Sequence, residues 1–151
     1  MLASLKLLDL MANNSEAIAK NWSKDVTRNA KTPFYHYVKD DYLIPQAAEF
    51  YRTLSSLYTL RDPYPSIQTF ISKYAEKRFN EGVPLPEALY GIILMRRHIW
   101  LYAAFQAIFI TIIEQHQALD SQTRTILIFD YIAYVLTEKY ISLMGEAPKK
   151  K

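Results

Sequence analysis

The stretch RRHIWLYAAFQAIFITII, residues 96–113, constrains the fold more than any other part of the chain. Two arginines and a histidine head a run of 15 residues, 99–113, that is interrupted only by Gln106 and Thr111. The run is short of the roughly 20 residues a bilayer requires. Extending it backwards would put Arg96, Arg97 and His98 into lipid, where each is costly. No membrane span is expected. The pattern instead predicts a long central helix over residues 86–116, spanning roughly 45 Å at about 1.5 Å per residue.

On that helix Leu89, Ile93, Arg96, Trp100 and Ala107 share one face, and Leu94, His98, Phe105, Phe109, Ile112 and His116 the opposite one. A helix that is apolar all round is buried all round, or buried on one side and paired on another. Four neighbouring helices do not easily cover it everywhere, and an exposed apolar remainder usually means a partner. A two-fold homodimer through this helix or the last one, with Tyr131, Tyr134 and Val135 beside the core stripe, is the expectation. A monomer whose other helices wrap the run completely is the alternative.

The rest of the chain is helical in pattern as well. Ile18, Trp22 and Val26 repeat at four-residue steps behind Asn13 and Glu16, which resemble a capping box. KTPFYHYVKDD (31–41) reads as a connector. After Pro45, the residues Ala47, Phe50, Tyr51, Leu54, Leu57 and Tyr58 form a stripe; after RDPYPS (61–66), so do Ile67, Phe70, Ile71, Tyr74, Ala75, Arg78 and Phe79. Gly82 suits a helix C-terminus and Pro86 the next N-terminus. ALDS (118–121) reads as a turn. Ile126, Phe129, Ile132, Ala133, Leu136, Tyr140 and Leu143 make a last stripe, closed by Gly145. Only three glycines and seven prolines punctuate 151 residues, which favours long helices and short connections. The fold class is all-α, with five to six helices in a globin-like or bundle arrangement. One domain occupies residues 1–145, followed by a basic tail, 146–151.

Charge and composition exclude several functions. Setting aside Lys149, Lys150 and Lys151 leaves 15 basic against 15 acidic residues, so the body has no nucleic-acid footprint. There is no cysteine, which removes disulfides, thiolate metal sites and cysteine nucleophiles and fits a cytoplasmic protein. Residues 1–12 carry Lys6 and Asp9 where a signal peptide stays uncharged, so they read as a docking helix or capping arm. No GxSxG elbow, glycine-rich phosphate loop, HExxH or ExxH pair is present, and no catalytic residue is assigned.

The polar heads have structural readings first. Arg96 on an apolar face needs a carboxylate, with Glu76, Glu87, Asp130 and Glu138 as candidates, or lies over Trp100 with its head in water. Arg96, Arg97, His98 and Trp100 thus form a candidate interaction and register site. No cofactor is expected. The alternative is haem, with His98 as axial ligand and Phe105 and Phe109 flanking the macrocycle. His116 lies 18 residues from His98, too far along one helix to share a metal, and His36 has no helical partner.

The segment YAEKRFNEGVPLPEALYGIILMRRHIW (74–100) resembles the amino-terminal domain of RsbT co-antagonist (RsbRD-type) proteins. Similar helical domains precede regulatory modules in bacterial stress signalling and in some sensor histidine kinases. The resemblance is strongest over these 27 residues, and the flanking helices agree in pattern. It implies a dimeric, non-enzymatic sensor domain, globin-like without haem, that works with a signalling-protein partner or an output domain. It brings no catalytic residues. Here no output domain follows the last helix, so the chain reads either as a small protein acting by pairing or as an input domain.

Overall fold

The computed structural model describes residues 5–106 and 111–146, and these are all-α, with no strand. Six helices follow one another: α1 (Leu5–Asn13), α2 (Ser15–Val26), α3 (Asp40–Leu57), α4 (Tyr64–Asn80), α5 (Leu85–Gln106) and α6 (Ile112–Glu146). A short 3₁₀ helix, Pro33–Tyr37, joins α2 to α3. The arrangement is a helical bundle in which α2 packs on α3, α4 packs on α6, and α5 touches α1, α2, α4 and α6.

Hydrophobic periodicity accounts for most of this. Ile18, Trp22 and Val26 are all buried, and so is the whole 47–58 stripe of Ala47, Phe50, Tyr51, Leu54, Leu57 and Tyr58. Leu7, Leu10 and Met11 dock α1 on the core, as expected of an amino-terminal arm. Side-chain pegs then fix the helices around α5. The Trp22 indole donates to the Gly91 carbonyl at 3.0 Å, and the Tyr51 hydroxyl donates to the Met95 carbonyl at 3.0 Å. From α6, Tyr140 donates to Val83 O at 2.9 Å. Each peg satisfies a polar atom that burial would otherwise penalise. α4 ends as the sequence suggests. Gly82 adopts φ +91°, and its N–H and that of Val83 close back on Phe79 and Arg78 at 3.0 and 3.1 Å. The buried Val83 side chain completes this Schellman closure.

Five boundaries differ from the sequence expectation. The single helix over 86–116 is instead two elements, α5 and α6, with residues 107–110 outside the described part. The restart has a local cause. The Thr111 N–H donates to Glu114 at 3.0 Å and the Glu114 N–H to Thr111 Oγ1 at 3.1 Å, a reciprocal capping box. ALDS (118–121) makes no turn, because it lies inside α6, where Ser121 is buried and Thr125 donates to its carbonyl at 2.7 Å. The capping box at Asn13 is absent. Asn13 closes α1, and the Asn14 amide side chain donates back to Leu10 O at 3.1 Å. α3 begins at Asp40 and carries Pro45 within it, while α6 passes through Gly145 to Glu146. The tail 147–151 lies outside the described residues.

Candidate functional site

The structure separates the four polar-head residues by environment. Arg97 is exposed, with its guanidinium 6.0 Å from the Tyr90 ring. Arg96 and Trp100 are half-buried, and Trp100 packs against the core. Arg96 makes no ion pair among the described residues. Two of the carboxylates proposed for it are otherwise engaged, Glu76 with Lys139 at 3.9 Å and Glu87 with the Phe34 N–H at 2.7 Å. Half-exposure is the physical reason: the head of Arg96 needs no buried counter-ion when water reaches it.

His98 turns towards α2, where Nε2 stands 2.8 Å from Asp25 Oδ2. The haem alternative needs that ring to line a pocket. Neither the groove between α3 and α4 nor the smaller pocket lined by Phe34, Tyr35 and Leu43 includes it, the Phe105 side chain and Phe109 lie outside the described residues, and no cluster of metal-ligating groups occurs among the described residues.

Burial raises the Asp25 carboxyl, but hydrogen bonds from His98 and Asn29 and the charges of His98 and Arg97 outweigh it, holding the group below its usual 3.8. A carboxyl depressed in the folded state adds stability above its unfolded pKa, and that contribution disappears as pH falls through the folded value. Asp25→Asn is therefore expected to lower stability near pH 6 by no more than about 1.5 kcal/mol, since the pair is partly solvated. The difference should shrink as pH falls through the folded-state value of Asp25, as both proteins come to carry a neutral side chain. Urea midpoints followed from pH 6 downwards check this, and a difference that does not shrink would assign the loss to packing.

The buried arginine is Arg78, not Arg96. It is 3% exposed, with its guanidinium 4.9 Å from the Tyr74 ring centre. Nε lies 2.9 Å from Glu81 Oε1, close enough for an ion pair but not aligned for a hydrogen bond, while Nη2 donates to Oε2 at 3.2 Å. Burial works against the charge, and Tyr74 and Glu81 more than compensate, so Arg78 stays protonated. Tyr42 also donates to Glu81. The stripe that contains Arg78 was readable in the sequence, but the arginine itself reads there as one polar position among apolar ones.

Of the 11 large apolar side chains exposed among the described residues, eight lie on α6. This helix is 35 residues long, roughly 52 Å at about 1.5 Å per residue. Its core side is Ile128, Phe129, Ile132, Val135, Leu136 and Tyr140. Val135, expected at a subunit interface, is buried in this core, and Tyr131 is half-buried against Tyr64 at 5.1 Å. Ile126, expected in the core stripe, points outward. Ile112, Leu119, Ile126, Tyr134, Ile141 and Met144 are exposed by 49–75%. At 3.6 residues per turn these six fall within about 80° of arc, roughly opposite the core side, and His116, Thr123, Asp130 and Thr137 lie in the same arc between them. Leu127 and Ile113 flank them. A large side chain carries on the order of 150–200 Å², so the face presents on the order of 800 Å², about what one partner contributes to a standard interface. On α5, Leu101 is exposed too, so the apolar run is not covered all round.

Fold and site together define an all-α helical domain with one long helix that exposes large apolar side chains, interspersed with polar ones, on the side away from the core. Comparison of the chain with protein-family models, with curated proteins and with solved structures finds no match. No described helix is long and apolar enough to cross a membrane.

Proposed function

We propose that this protein is a non-enzymatic interaction module that pairs with a second copy of itself through the outer face of α6, and that it serves as an input domain in bacterial signalling. The observation that carries the reading is the α6 face. Six large apolar side chains exposed along one side of a single helix are more than the scattered surface residues of an ordinary monomer, and such clusters mark interaction sites. A second copy suits it because a straight helix face is self-complementary under a two-fold axis, the commonest symmetry of homo-oligomers. The similarity of residues 74–100 to RsbT co-antagonist sensor domains supports the signalling part, since those domains are dimeric and carry no catalytic residues. A paired long helix is also a simple mechanical element, because a shift of one packed helix against another passes movement along its length.

The absence of cysteine makes a direct test simple. Single cysteines at Ile126 and Tyr134 on the outer face, and at Gln117 and Ser142 about 120–140° round the helix from its centre, report which surface lies between protomers. With a short bis-maleimide, Ile126→Cys and Tyr134→Cys should cross-link rapidly to dimers and the other two slowly. Equal rates at all four positions would sink the reading.

A further inference from the structure

α3 and α4 follow each other in the chain but pack mainly on different partners, α3 on α2 and α4 on α6. They leave between them a groove of about 470 Å³, within the usual range for small-molecule sites. Its walls are aromatic. The Phe50 ring centre lies 5.3 Å from those of both Phe70 and Tyr74. Lys73, Lys77 and Arg78 border it from α4, and Glu49 borders it from α3.

The charges there do not cancel. Glu49 pairs with Arg52 at 2.9 Å, Glu76 with Lys139 at 3.9 Å, and Glu81 with Arg78 at 2.9 Å. That leaves Lys73 and Lys77 with no carboxylate partner among the described residues; Lys77 rests 5.9 Å from the Tyr42 ring centre. A second signal is independent of charge. The carboxamide oxygen of Gln46, in the wall of the groove, is buried and accepts no hydrogen bond among the described residues. A buried acceptor without a donor is a standing penalty, and because this oxygen has almost no accessible surface a bound molecule relieves it only when the Gln46 side chain turns its amide into the groove.

We propose that this groove binds a small aromatic carboxylic acid that also carries a hydrogen-bond donor. The ring lies among Phe50, Phe70 and Tyr74, where edge and face contacts favour another aromatic over an alkyl chain. The carboxylate faces Lys73 and Lys77 in charge-assisted contact. The donor answers Gln46 from the α3 side. Arg78 stays with Glu81 and supplies a fixed positive wall.

Calorimetric titration of the whole chain at low salt tests this, with indole-3-acetate as probe, indole-3-ethanol as its uncharged counterpart and 1-naphthylacetate as the acid without a donor. Indole-3-acetate should bind saturably, about tenfold or more tighter than the alcohol. The exposed pair Lys73→Gln/Lys77→Gln should abolish that preference while keeping the circular dichroism of the wild type. Gln46→Leu should weaken indole-3-acetate and leave 1-naphthylacetate unchanged. No saturable binding, equal affinity for acid and alcohol, or an affinity unmoved by the lysine pair overturns the proposal. An equal effect of Gln46→Leu on both acids overturns the donor assignment. The α6 face takes no part in this groove, so the outcome is independent of dimer formation.

Discussion

Trp22→Ala should destabilise the domain by about 3–5 kcal/mol, the range for removing a fully buried large aromatic. Trp22 is 1% exposed, meets Tyr35 edge-on at 6.0 Å, and donates to Gly91 O on α5. Its loss opens a cavity where α2, the 3₁₀ segment and α5 meet, and leaves the Tyr35 ring without its edge partner. Against a typical net stability of about 5–15 kcal/mol this is a large fraction. Trp22→Phe keeps an aromatic ring but not the hydrogen bond, so its effect should be smaller, about 1–2 kcal/mol. Urea unfolding at constant m value distinguishes the two. Equal effects of both variants would mean that the indole hydrogen bond, not the packed ring, carries the stability.

Ile126→Glu/Ile141→Glu should abolish the proposed pairing through α6 and leave the protomer folded. Burying an isoleucine stabilises by about 1.5–3 kcal/mol, and a two-fold axis counts each substitution twice. Placing four carboxylates at that contact adds desolvation and mutual repulsion. Weakening by at least about a thousandfold follows, at about 1.4 kcal/mol per factor of ten. Within the protomer both side chains face outward, so stability should change by no more than about 0.5 kcal/mol per site.

The buried stripes of α2, α3 and α4 were legible because each repeats every three or four residues with little interruption. Less was legible where two signals competed. Thr111 and Glu114 carry the capping pattern that starts α6, yet they sit inside an apolar run that reads as continuous helix. Ala118, Leu119, Asp120 and Ser121 look like a turn by composition. In the fold Leu119 is exposed on the apolar face and Ser121 is buried, so the segment simply continues the helix. The α6 face itself was only half visible. Its outer residues and its core residues are both apolar, and no rule within one chain says which side meets the rest of the domain. That is why the sequence pattern puts Val135 and Ile126 each on the wrong side. The partner of His98 was not legible at all, since Asp25 lies 73 positions away and the two meet only after α2 packs on α5. The groove between α3 and α4 was equally hidden, because it depends on the two helices choosing different partners.

Sedimentation equilibrium of the wild-type chain beside Ile126→Glu/Ile141→Glu, at about 10 micromolar where a stable dimer persists, is the most direct measurement. The wild type should sediment at twice the 17.6 kDa chain mass and the folded variant at 17.6 kDa. A wild type that sediments as a monomer, or a variant that stays dimeric, would contradict it.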